Sequence, residues 1–142
     1  MHLEEIDLRK LYLVRLNPGD DLLLSLQEAV ERLNIRNGLI LGGVGSTSSY
    51  HFHVVSTGIN PPEEIYPQGK APADIVSMSG IILNKKVHAH IIFSNDRIAY
   101  GGHLEVGTKV LTFSVVTLAS IKNEIKGWDR IGDIDSILAT LT

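Results

Sequence analysis

Cysteine is absent from this chain, so neither a disulfide nor a thiolate ligand can form, and any bound metal must sit on nitrogen and oxygen. A run of about 20 apolar residues is missing too, which excludes a membrane-spanning helix. The start of the chain, with Glu4, Glu5 and Asp7, is unlike a secretory leader, and a cytoplasmic protein is expected. Basic residues are not in excess. With 13 Lys and Arg against 16 Asp and Glu, the net charge is −3, and a duplex-binding domain normally shows a basic footprint. Lys85 and Lys86, and the group Lys122, Lys126 and Arg130, are local exceptions that read as solvated surface. No repeat or low-complexity linker divides the 142 residues, so one domain is expected, with a core over about 8–120 and a C-terminal extension over 121–142.

Residues 9–16 alternate as a first strand, and Asn17-Pro18-Gly19-Asp20 turns the chain. Asp20 is placed to cap a helix beginning at Asp21, in which Leu22, Leu26, Ala29, Val30 and Leu33 recur on one face. A second run starts after Asn37-Gly38. Its cluster Gly42-Gly43-Val44-Gly45-Ser46 would suit a phosphate only if a helix came next, and the chain continues instead into the alternating strand Tyr50-His51-Phe52-His53. Between Ser56 and Ala73 the prolines and glycines predict an irregular rim with no regular element, with Tyr66 and Glu63 or Glu64 as its polar contributions. Further strands are expected at Ile75–Leu83 and Val110–Ala119, and a short helix over Asp133–Leu141. The order is β-α-β and then antiparallel strands, so the class is α+β: a mixed or antiparallel sheet covered by one main helix.

The segment Val87–Leu104 carries the chemistry. Two apolar runs of period 2 flank Asn95-Asp96, which predicts a hairpin with a two-residue turn. Pairing Ser94 with Arg97 sets Val87 across from Leu104 and Phe93 across from Ile98 on an apolar face. The other face then carries His88 across from His103 and His90 one step along. Opposed residues on a strand pair stand roughly 4.5–5.5 Å apart at Cβ, within reach of one ion. Gly101-Gly102 could carry a bulge that re-aims His103. His51 and His53 form a second His-x-His pair, read as partly buried histidines or as donors lining a pocket around the first cluster.

These features resemble the PPC (plants and prokaryotes conserved) domain. The resemblance rests on Gly-Val-Gly-Ser at 43–46, Ile-Val-Ser-Met-Ser-Gly at 75–80, His-Ala-His at 88–90 and Gly-Gly-His-Leu at 101–104. It implies a homotrimer of α+β domains, related to the C-terminal domain of plant AT-hook proteins, with His88, His90 and His103 as a metal site, commonly zinc. Ser46, His51, His53 and Glu105 are the candidate pocket residues around it. The plant branch adds AT-hooks that enter DNA. This chain has no Arg-Gly-Arg-Pro segment, so DNA remains an alternative role, with the metal structural, that neither charge nor motif supports. Many prokaryotic members also carry a glutamate where Val115 stands, and any role of that carboxylate is lost here or passes to Glu105. Three imidazoles leave zinc a fourth position, and its water then has a pKa of about 7. Such a site permits hydrolysis or hydration and requires neither, so the sequence names no catalytic residue.

Overall fold

The structure is a computed structural model that describes residues 1–141. Seven strands and two helices run in the order β1 (Leu8–Leu16), α1 (Leu22–Arg32), β2 (Gly38–Val55), β3 (Glu64–Ile65), β4 (Gln68–Leu83), β5 (Lys86–Ser94), β6 (Ala99–Leu104), β7 (Val110–Ile121) and α2 (Ile134–Ala139). All pairings between these strands are antiparallel. The sheet runs β1-β7-β2-β4-β5-β6, and the far end of β2 pairs β6 as well. Strands β2, β4, β5 and β6 therefore close on themselves. The expected α+β class holds broadly, with little helix and much antiparallel sheet.

Alternation decides what faces the interior. Along β5, Val87, Ala89, Ile91 and Phe93 are buried while Lys86, His88, His90 and Ile92 face out. Inside the closed strands Phe93 packs against Tyr100, with ring centroids 5.4 Å apart, and against Phe52 at 6.1 Å. Helix α1 covers the core with Leu22, Leu26 and Val30, spaced four apart and fully buried.

The cap of α1 differs from expectation by one residue. Asp21 receives the Leu24 amide at 3.0 Å, and its second oxygen receives the Gly107 amide at 2.8 Å, tying the helix start to the loop after β6. Asp20 instead accepts from the Asn17 amide at 2.8 Å and closes the preceding turn. A carboxylate inside a four-residue turn finds the turn's own amide first.

The proline-rich rim is more ordered than its composition suggests. Strand β4 begins at Gln68 and runs through Pro72, and β3 pairs the end of β2 through Val54↔Ile65 and Val55↔Glu64. Pro72 is tolerated because the β2–β4 register shifts between Thr47 and Ser49. At that point the Ser48 amide donates to the carbonyl of Lys109, just before β7, instead. The glycine cluster at 42–45 lies within β2 and no helix follows it. Gly45, at φ 143°, lies so close to β7 that a Cβ would stand 2.2 Å from the Phe113 carbonyl oxygen. Helix α2 sits within the expected span, capped by Asp133.

Candidate metal centre

The histidine hairpin forms with the expected faces and a different register. Ser94 pairs Ala99, so four residues, Asn95 to Ile98, make the turn. The Asn95 side-chain oxygen accepts from the amides of Arg97 (2.9 Å) and Ile98 (3.0 Å), which favours the longer turn over a two-residue reversal. His90, and not His88, is therefore opposite His103. A shift of two leaves every side chain on its own face. The three imidazoles still converge: ring centroids are 5.2 Å apart for His88 and His90, 4.3 Å for His88 and His103, and 5.7 Å for His90 and His103.

Gly101 and Gly102 make no bulge against β5, since the pairing from His90↔His103 to Ser94↔Ala99 is continuous. Their role is close approach. A Cβ on Gly101 would stand 1.9 Å from the Ile91 carbonyl oxygen, and one on Gly102 would stand 2.5 Å from that of His53. Only glycine lets β6 fit between β5 and β2. This brings in a fourth imidazole, because β2 pairs β6 with His53 directly opposite His103. Their rings stack at 4.1 Å.

Two of these nitrogens are spaced for a shared cation, whereas the three-donor group with all atoms within 4.8 Å of one another is His53, His103 and Glu105. His88 Nε2 and His90 Nε2 are 3.2 Å apart. A tetrahedral zinc with Zn–N of about 2.0–2.1 Å holds its ligand nitrogens roughly 3.3 Å from one another. On the other side of His103, the donor atoms of His53, His103 and Glu105 all lie within 4.8 Å of one another. Glu105 bonds His53 Nδ1 at 2.5 Å and stands 3.5 Å from His103 Nδ1. A carboxylate on the far nitrogen of an imidazole fixes its tautomer and orientation, a common support for metal-binding histidines.

Of the other expected pocket residues, His51 and Ser46 do not join. The His51 ring bonds the Val106 carbonyl at 2.6 Å, and the Ser46 hydroxyl bonds Thr112. Glu64 does join: it lies 3.5 Å from His53 Nε2 and receives the Tyr66 hydroxyl at 2.9 Å. The sequence left Glu63 and Glu64 as equal candidates on an irregular rim; β3 pairing selects Glu64.

Burial, the largest cause, lowers the pKa of both His88 and His103 below 6.5. Neighbouring His90, His53 and Lys86 add to the effect at His88; at His103, His88 and His53 add while Glu105 partly opposes. Both rings are thus held in the neutral form that binds metal. In metal-free protein a depressed folded pKa means that the unfolded chain binds more protons over the titration range. Stability from these two groups is present above about pH 6.5 and is lost as pH falls through their lowered values. Melting the stripped protein at about pH 7 and pH 5 should show a lower Tm at the acid end, with a smaller drop in His88→Gln; an equal drop would remove this cause.

Residues 5–122 match the Plants and Prokaryotes Conserved (PCC) domain. The fold is similar to that of a metal-containing protein from Archaeoglobus fulgidus, with TM-score 0.77 and 25% identity over 87% of this chain and 88% of that one. It is also similar to a plant- and prokaryote-conserved (PPC) protein from Pyrococcus horikoshii, with TM-score 0.72 and 21% identity over 91% and 92% of the two chains. Among curated proteins, the Bifunctional protein GlmU of a Synechococcus strain is 30% identical over 112 residues, 78% of this chain. The chain spans only 17% of that protein's length.

Proposed function

The chain belongs to the Plants and Prokaryotes Conserved (PCC) domain family, and on that premise we propose that it is a homotrimeric metal-binding protein holding zinc, or a similar divalent transition metal, through His88, His90 and His103. The observation that carries this reading is the 3.2 Å separation of two imidazole nitrogens beside a third ring, all on one sheet face. An all-nitrogen donor set of neutral imidazoles suits zinc among the first-row metals. The A. fulgidus protein of similar fold, described as metal-containing, supports it. A zinc ion with an open position would supply Lewis acidity and an activated water near neutral pH.

This chain's own residues do the rest. Glu105 holds the His53 ring, which stacks on His103 and limits how that ligand can turn. Self-association is supported by an apolar stripe on the outer sheet face. Leu11 and Leu13 of β1, Phe113 of β7, Val44 of β2 and Val76 of β4 are each at least 43% exposed and share that face through their pairings. Patches of this kind mark interaction surfaces. The test is to strip the protein with chelator, reload it with zinc, and measure metal per chain by elemental analysis and mass in solution by light scattering. About one zinc per chain and three chains per particle are expected; no retained zinc refutes the metal reading, and a monomer refutes the trimer.

A further inference from the structure

His103 has different neighbours on its two sides. Towards β5 it meets His88 and His90, and towards β2 it meets His53 and Glu105. On the β2 side one nitrogen from each histidine and one Glu105 oxygen lie within 4.8 Å of one another. Glu105 Oε1 is 2.5 Å from His53 Nδ1 and 3.5 Å from His103 Nδ1. Ligand atoms about 2.0–2.2 Å from a shared dication stand roughly 3.3 Å apart, so the second spacing already fits and the first must lengthen by under about 1 Å.

The far side of His53 is prepared as well. Glu64 Oε1 lies 3.5 Å from His53 Nε2, and the Tyr66 hydroxyl donates to the other Glu64 oxygen at 2.9 Å. A carboxylate at the outer nitrogen keeps the ring proton there and leaves Nδ1 its lone pair, which is how metal-bound imidazoles are commonly backed. This support comes from β3, separately from Glu105.

The two sides differ in kind. Two carboxylates flank His53, whereas no ion pair among the described residues brings one to His88 or His90. Neutral imidazoles alone suit zinc, while two imidazoles and one carboxylate with open positions suit a harder ion, as in non-haem iron(II) sites. Both sets need His103, and a neutral imidazole has a lone pair on only one nitrogen. In the metal-free ring Nδ1 is also 3.1 Å from the Leu104 carbonyl, a bond that an ion on the β2 side would replace. An ion on Nδ1 leaves the proton on Nε2, and that nitrogen is then closed to an ion on the β5 side.

We propose that His53, His103 and Glu105 form a second divalent-cation site, suited to an ion of the manganese(II) or iron(II) kind, whose occupancy excludes that of the His88, His90 and His103 set. The inference deepens the reading of the metal centre and rests on it only for the exclusion.

The experiment titrates manganese(II) into the full chain after chelator treatment and follows the free ion by its electron paramagnetic resonance signal. About one manganese per chain with Kd below about 1 mM is expected. Glu105→Gln and His53→Ala should each weaken it at least about tenfold, Glu64→Gln about tenfold, and His88→Ala less than about threefold. Glu105→Gln keeps the shape of the side chain, and unchanged melting curves of the stripped variants verify the fold. One equivalent of zinc should release the bound manganese. No saturable manganese binding, binding that survives both Glu105→Gln and His53→Ala, an equal loss in His88→Ala, or an undiminished affinity in the zinc-loaded chain overturns the proposal. Zinc retained through His88 without manganese binding removes this inference alone, and manganese bound through His53 and Glu105 without any zinc retention removes the zinc reading alone.

Discussion

His103→Ala is expected to lower zinc affinity by about 100-fold or more while leaving the metal-free fold intact. The loss should exceed the roughly 10–100-fold that removing an outer partner of a metal ligand costs, because His103 would itself be a ligand. It stands between two groups, with His88 and His90 on the β5 side and His53 and Glu105 on the β2 side. Any ion placed by either group needs it. The ring is partly exposed, and its removal opens no closed cavity, so the Tm of the stripped variant should stay near that of the parent. His53→Ala sharpens the comparison. If His53 only steadies His103, its loss costs within the outer-partner range, and His88→Ala costs more. A competition titration against a chromophoric chelator measures all three, and His53→Ala losing more than His88→Ala would move the ion to the His53, His103 and Glu105 side.

Gly101→Val should be the most damaging single change to the fold and should remove the metal centre with it. Its new Cβ would lie 1.9 Å from the Ile91 carbonyl oxygen, a distance that real side chains do not tolerate. The atom in the way is backbone of β5, so relief requires β6 to leave its place. That would undo both the His90↔His103 and the His53↔His103 pairings. A cost above about 4 kcal/mol is expected, in the range reserved for changes that break a named structural feature. Gly42→Ala is the control, since nothing lies within 4 Å of its Cβ position. Denaturant unfolding with zinc measured alongside should show Gly42→Ala within about 1 kcal/mol of the parent and Gly101→Val far below it. Similar midpoints for the two would refute the squeezed placement of β6.

What the sequence reveals of this site is what its local periodicity can carry. Alternation from Lys86 to Ser94 separates His88 and His90 from Val87, Ala89, Ile91 and Phe93, and the structure keeps that separation. Register is another matter. It depends on whether the Asn95 side chain bonds the amides of Arg97 and Ile98, a choice between two turns that both suit Asn-Asp. An even shift protected the faces from that choice. His53 was open to reading as a pocket residue alongside His51, and Glu64 as a rim residue alongside Glu63, but which of each pair reaches the site was hidden for a different reason. Both depend on the far end of β2 bending to pair β6 and β3, contacts between segments distant in sequence that no window of residues encodes. The glycines at 101 and 102 were the visible trace of it, open to reading as a bulge when they mark close approach on two sides. The cap of α1 shows the same limit on a small scale, with Asp20 and Asp21 alike in type and separated only by what lies across from them.

X-ray absorption at the zinc edge of the stripped and reloaded protein tests the metal centre most directly, because it counts the ligands. Three imidazole nitrogens at about 2.0–2.1 Å, with one further light-atom ligand, are expected at a loading near one zinc per chain. Two or fewer imidazoles, or a shell of oxygens like that of the free ion, would contradict a centre built on His88, His90 and His103.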